Sequence, residues 1–225
     1  MPTVVEKRLR QSDCFKLLAA CFYEPDREMF LQEQLCDNLV SQLAACGYVP
    51  AAEAARGMLV ALSEASNEEL KIEYARLFVG PFELVAPPYG SVYLEERKRL
   101  MGDSTVAVQK MYQQAGLSLE VKEAPDHIAL ELEFMHYLCL AESEARAKRQ
   151  NKEAQRLNKM QTEFMTRLLG SWIPPFCENI RQGTDKGFYV NLADCLEDFI
   201  REIISLPQAT TMRKNEGIHD RGTSA

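Results

Sequence analysis

Pro125-Asp126-His127-Ile128-Ala129-Leu130-Glu131-Leu132-Glu133-Phe134-Met135-His136-Tyr137-Leu138-Cys139-Leu140 is the most apolar helical pattern in the chain. Apolar residues recur here at three- and four-residue spacings, the period of a helix face. Proline is tolerated at a helix start, and Asp126 meets the positive end of the helix dipole there. The pattern continues past Leu140 into the charged stretch from Glu142 to Lys152.

The same periodicity extends in both directions. Residues 5–23 carry Leu9, Phe15, Leu18 and Phe22 at helical spacing. Glu24-Pro25-Asp26 breaks that helix, and Asp26 can cap the next. Residues 27–46 place Phe30, Leu31, Leu35, Leu39 and Leu43 on one side, with Gly47 as the stop. A further helix fits 51–64. Ser66 and Glu69 have capping-box spacing, so a helix begins at Asn67 and runs through Tyr74, Leu77 and Phe78 to Gly80-Pro81. Residues 80–94 read as the least helical part, a Pro/Gly-rich apolar loop. Asp103 is placed to cap a helix reaching Gln114. Downstream, helices fit 151–168, 172–182 and 190–205. No internal repeat, low-complexity tract or alternating β-α pattern is present. The expected fold is all-α, a single-domain bundle of about eight or nine helices over residues 1–209, with a loose polar tail at 210–225.

Composition agrees with a soluble globular chain. There are 225 residues, 46% hydrophobic and 26% charged. A chain of this length buries roughly 70% of its unfolded surface and needs no disulfide or metal to fold. The net charge of −7 argues against a nucleic-acid backbone as partner, which requires a basic footprint. Seven scattered cysteines, none in a C-x-x-C pair, read as core thiols. The charged N-terminus has no apolar signal region, and the longest uncharged run, Asn38 to Ala52, is too polar to span a membrane. The expected compartment is the cytoplasm.

Catalytic templates are missing. There is no phosphate loop: Gly183-Thr184-Asp185-Lys186-Gly187 has the wrong spacing and reads as a turn between helices. No G-x-S-x-G or H-E-x-x-H motif occurs. Glu133-Phe134-Met135-His136 is an E-x-x-H element, but a di-iron bundle needs two of them. Of the other histidines, His127 has no glutamate three positions before it, and Glu216-Gly217-Ile218-His219 falls in the loose polar tail rather than on an expected helix face. No metal, cofactor or catalytic residue is therefore expected. His127 follows Asp126 at a helix start. The helix terminus disfavours its protonation while neighbouring carboxylates favour it, and a catalytic role lacks a nucleophile. The 80–94 segment concentrates Phe82, Leu84, Val85, Tyr89, Val92 and Tyr93. Such a loop either packs across the core or binds something apolar.

Two segments carry a resemblance. The first is Tyr74-Ala75-Arg76-Leu77-Phe78-Val79-Gly80-Pro81, followed by Ala86-Pro87-Pro88-Tyr89-Gly90-Ser91-Val92-Tyr93-Leu94. The second is Glu123-Ala124-Pro125-Asp126-His127 continuing to Met135, with Gly102-Asp103-Ser104-Thr105 between them. Together they span about residues 70–140 and resemble the TorD/DmsD family of redox-enzyme maturation chaperones, closer to the DmsD branch. The resemblance implies a non-enzymatic, all-helical chaperone. Such proteins bind the twin-arginine signal peptide of a molybdopterin oxidoreductase, such as a dimethyl sulfoxide reductase, and assist its folding, cofactor insertion and timed export. It implies peptide-binding roles for Tyr74, Leu77, Phe78, Pro88, Tyr89, Gly102, Asp126 and His127. Glu131 joins them as a carboxylate able to pair with an arginine. Tyr74 and Tyr89 stand where the DmsD pattern has tryptophans, and Glu123 sits one residue closer to Asp126 than usual. Weak guanine-nucleotide binding is associated with the family. The implied partners are the leader peptide and the apo-enzyme, with the chaperone a monomer or dimer. Alternatives are a metal-dependent helical enzyme using Glu133 and His136, or an adaptor for folded partners only. Asp126 has two readings, an arginine contact or a helix cap.

Overall fold

The computed structural model describes residues 3–80, 84–96, 100–120 and 122–205. The expected tail at 210–225 and Pro81, Phe82 and Glu83 of the expected loop lie outside the described residues. Among the described residues the chain forms eleven α-helices and no strand. They are α1 (Val4–Ala20), α2 (Arg27–Gln32), α3 (Leu35–Cys46), α4 (Val49–Glu64), α5 (Asn67–Tyr74), α6 (Gly90–Leu94), α7 (Asp103–Gln114), α8 (Ile128–Ala147), α9 (Asn151–Phe164), α10 (Gly170–Gly183) and α11 (Gly187–Ser205). Two π-helical turns, Ala75–Val79 and Met165–Leu169, extend α5 and join α9 to α10. The all-α expectation holds, and about ten continuous helical runs replace the eight or nine expected.

Several starts follow from local chemistry. Thr3 and Glu6 form a capping box on α1, and Ser66 and Glu69 form one on α5. The Asp26 side chain accepts the Met29 amide at the start of α2. Several boundaries differ from the expectation. The 27–46 helix is split, because Gln34 takes a left-handed conformation (φ 50°) that ends α2. The 151–168 and 172–182 helices are one run, joined by the π turn. Residues 90–94, expected as loop, form the short α6. The helix expected to open at Pro125-Asp126 begins at Ile128, because His127 rather than Asp126 is its cap: the His127 Nδ1 accepts the Ala129 amide at 3.2 Å. Likewise Asp103 is the first helical residue of α7, and Gly102 occupies the cap position.

One contiguous core runs from Cys14 to Ile200. α1 lies along α8, and α4 along α11. All seven cysteines are buried and free, as core thiols should be. The Gly183–Gly187 segment is the turn between α10 and α11. Beneath the future site runs a column of rings. Phe22 meets Phe78 (5.9 Å between centroids) and Phe176 (5.7 Å), Phe176 meets Trp172 (5.2 Å), and Trp172 stacks on Tyr93 (5.5 Å). Aromatic pairs of this kind add about 0.5–1.5 kcal/mol each beyond the area they bury. They provide a stiff floor for the segments above.

Candidate functional site

Two loops meet over that floor. One leads into α6 and the other into α8. Their backbones pair once, antiparallel, at Tyr89 and His127. The Gly90 amide donates to the Asp126 carbonyl and the Ile128 amide to the Pro88 carbonyl, both at 2.9 Å. The Ala86 amide donates to the Leu77 carbonyl at 2.9 Å, tying the first loop to the π turn Ala75–Val79. Gly90 is required by close approach: a Cβ there would lie 2.9 Å from the Trp172 indole nitrogen and 3.3 Å from Glu131.

Asp126 locks this junction. It is 1% exposed, and its Oδ2 accepts the Ser91 amide at 2.7 Å. Ser91 is itself fully buried, and its hydroxyl accepts the Met101 amide at 3.3 Å. The Asp126 Oδ1 is buried with no hydrogen-bond partner among the described residues. Next along the chain, Gly102 leaves room for Glu95, whose carboxylate a Cβ would strike. Glu95 Oε1 accepts the Ser104 amide (2.9 Å) and hydroxyl (2.7 Å), and so caps α7 from the end of α6. Asp126 and Glu95, the latter packed on Gly102, thus meet at Ser91, beside the Tyr89–His127 pair.

Glu131 is buried beneath the junction, where the Trp172 indole N–H donates to its Oε2 at 3.2 Å. Burial pushes its pKa well above the ordinary carboxylate range, Asp126 adds to this, and the indole bond opposes it. Burial thus shifts Glu131 toward the neutral acid. For His127 the opposing influences resolve downward. Burial lowers its pKa and outweighs Glu123 and Asp126, which raise it. A neutral ring also suits Nδ1 as the acceptor that caps α8.

Above this interior sits a patch of tyrosines and carboxylates. The Tyr89 hydroxyl donates to Glu123 Oε1 at 2.9 Å, and the Tyr23 hydroxyl to Glu133 Oε1 at 2.8 Å. Tyr23 and Tyr89 flank the His127 ring, at 6.5 and 5.3 Å between centroids. Tyr74 contacts the Phe78 ring at 5.4 Å and donates to the Phe22 carbonyl at 3.3 Å. Its pKa is raised by burial first and then by nearby Glu123 and Glu24. Tyr23, Glu24, Glu123 and Glu133 are exposed, and Tyr74 and Tyr89 half-buried. Tyrosine faces attract cations and the carboxylates pair with them, so the patch can hold a guanidinium.

The residues expected to line a peptide groove divide accordingly. Tyr74 and Tyr89 reach the surface. Leu77, Phe78 and Pro88 are buried and support it from below. Asp126, His127 and Glu131 are interior, and Gly102 serves the packing of Glu95. Sequence reading overlooked Tyr23 and set Glu133 within the E-x-x-H element. In the fold Glu133 faces Tyr23, while His136 Nδ1 lies 2.8 Å from the Ser12 hydroxyl. Among the described residues no three His, Cys, Asp or Glu side chains are grouped to hold a metal.

A family model described as "Nitrate reductase delta subunit" matches residues 45–178, more than half of the chain. The chain belongs to this family. The match includes both loops of the junction and most of the patch. A Vibrio parahaemolyticus protein named "Chaperone protein TorD" is 29% identical over 135 residues, 59% of this chain and 61% of the relative. A Salmonella paratyphi A protein named "Tat proofreading chaperone DmsD" is 38% identical over 78 residues, 34% of this chain and 38% of the relative. The alignments thus span less than two thirds of these relatives. The resemblance to the TorD/DmsD family holds, while the expected leaning toward DmsD does not emerge from relatives bearing both names. In structure the chain is similar to an Archaeoglobus fulgidus protein described as a candidate redox enzyme maturation protein. The TM-score is 0.55 at 21% identity, covering 89% of this chain and 96% of that one, which establishes a shared fold.

Proposed function

We propose that this chain is a cytoplasmic maturation chaperone that binds the twin-arginine signal peptide of a molybdopterin oxidoreductase, dimethyl sulfoxide reductase-like in type. It assists folding and cofactor insertion and delays export until they are complete, without covalent catalysis. The observation that carries this reading is the tyrosine–carboxylate patch, built on the two segments most like the family. Tyr23 and Tyr89 offer ring faces, and Glu123 and Glu133 offer exposed carboxylates to two guanidinium groups. Tyr74 extends the aromatic surface toward the peptide's apolar segment. Leu77, Phe78 and Pro88 hold that surface in shape, and Asp126, His127, Glu131 and Gly102 act as positioning residues beneath it. Paired arginines suit this arrangement better than lysines, because only a planar fork binds a carboxylate bidentately. No helix among the described residues is long and apolar enough to cross a membrane.

Calorimetric titration with a synthetic peptide tests the reading. The peptide carries two adjacent arginines before an apolar segment, and its control has two lysines. Saturable binding that weakens several-fold in the lysine peptide is expected. No affinity for the isolated peptide, alongside capture of the folded oxidoreductase, would mean an adaptor for folded partners instead.

A further inference from the structure

A cavity lies away from the patch. It is ≈ 290 Å³ in volume and opens between α1, α8, the π turn Met165–Leu169 and the end of α11. That size is at the small end of organic-ligand pockets. In a chain of net charge −7, its described lining residues include Lys7, Arg8 and Arg146 and no carboxylate. Arg8 and Arg146 are anchored from behind by the fully buried Glu142. Arg8 Nε lies 3.1 Å from one carboxylate oxygen, Arg146 Nε donates to the other at 2.7 Å, and Gln161 donates to the first at 2.8 Å. Glu142 sits between the two guanidiniums and Glu202 lies within electrostatic reach of Lys7, so three cations against two carboxylates leave a local excess of about one positive charge. The guanidiniums are preorganised as well as charged, since the buried carboxylate fixes them.

The remaining lining is mixed: Gln11, Asn158, Gln161, Thr162 and Thr166 are polar, and one stretch is apolar. Phe15, Met135 and Met165 line it, and the exposed Val4 and Ile204 form its lip. The π turn shapes this side. A Cβ on Gly170 would strike the Met165 carbonyl oxygen and lie 2.7 Å from the Ile204 side chain, so glycine is needed for the turn and α11 to close together. π turns often mark functional sites.

We infer that this cavity binds a small amphiphilic anion, an alkyl carboxylate of about eight to ten carbons, with its head on the cations and its tail against the apolar stretch. A cationic signal peptide is repelled by the same charges, so the two sites take ligands of opposite sign. The site is independent of the proposed peptide binding.

The test is calorimetric titration of the full chain at low salt with decanoate below its micelle concentration. Decanol supplies the tail without the charge, and acetate the charge without the tail. Saturable one-to-one binding of decanoate is expected, with decanol and acetate each at least about fivefold weaker, since charge and apolar contact both contribute. Thr166 is exposed and lines the cavity. Thr166→Trp should fill it and abolish decanoate binding while leaving twin-arginine peptide affinity unchanged. Lys7 lies outside the buried ion cluster, with its ammonium 5.0 Å from the centre of the Tyr48 ring, so Lys7→Gln should weaken decanoate about two- to fivefold while lowering the melting temperature by about 4 °C at most. The inference is overturned if decanoate does not bind, if decanol binds equally well, or if a folded Thr166→Trp protein binds decanoate as the wild type does. Should Thr166→Trp fail to fold, unchanged decanoate affinity in Lys7→Gln overturns it.

Discussion

Asp126→Ala separates a carboxylate that touches a ligand from one that holds the fold. In the structure Asp126 is 1% exposed and spends Oδ2 on the Ser91 amide at 2.7 Å. Alanine leaves that amide buried without an acceptor, because Ser91 is wholly enclosed. A hydrogen bond to a charged group contributes about 1.5–3 kcal/mol. For a chain of this size each kcal/mol moves the melting temperature by about 2–4 °C, so a fall of about 3–12 °C is expected. Asp126→Asn restores a neutral acceptor worth about 1 kcal/mol, and should recover part of the loss. Thermal unfolding by circular dichroism reads the stability, and calorimetry with the twin-arginine peptide reads the affinity. The asparagine protein should keep nearly wild-type affinity, since the carboxylate acts by fixing the Tyr89 loop. A fully stable asparagine protein with peptide affinity lost more than about tenfold, as breaking a charged pair at an interface would give, would refute this and make Asp126 a direct arginine contact.

Glu123→Gln and Glu133→Gln should each lower peptide affinity about two- to fivefold, as exposed ion pairs do, with melting temperatures almost unchanged; calorimetry and thermal scans check both. Gly102→Ala should destabilise the protein by about 1–2 kcal/mol in urea unfolding, because its Cβ displaces the Glu95 carboxylate that caps α7. Glu131 has a raised pKa, so the native state holds its proton above pH 4.5 while the unfolded state gives it up. Its contribution to stability falls as pH rises from 4.5, and Glu131→Gln should flatten that decline in urea melts taken across pH 4.5–8. His127 has a lowered pKa. Its contribution is full above the unfolded value near 6.5 and declines as pH falls through it, so removing its titration with His127→Asn should weaken the acid-side loss between pH 7 and 5.5.

Features set by neighbours in the chain could be read from it. The Ser66–Glu69 capping box, the Asp26 cap, the turn at Gly183–Gly187 and the burial of all seven cysteines each depend on a few adjacent residues. Features set by distant partners could not. Asp126 looks like a helix cap until Ser91, 35 residues away, takes its carboxylate and leaves the cap to His127. Gly102 looks like a ligand contact until Glu95 is seen against it. Gln34 is no usual breaker, so the split between α2 and α3 left no mark in composition. The π turn that fuses α9 and α10 depends on how closely Gly170 approaches Met165. Within the candidate site the aromatic residues Tyr74 and Tyr89 were found through resemblance. Tyr23 was missed because it is a single residue just past the end of α1, given meaning only when α8 brings Glu133 to it.

The two phenol–carboxylate bonds, Tyr23 to Glu133 and Tyr89 to Glu123, have a consequence for exchange. Neither carboxylate is bare; each accepts from a neutral donor. An arriving guanidinium must therefore outcompete a hydroxyl, which a charge-assisted fork can do and a hydrated sodium ion does poorly. When the guanidinium leaves, the hydroxyl returns at once and no desolvated charge is stranded. In the proposed peptide site the phenols would act as internal placeholders, lowering the peak affinity and easing departure.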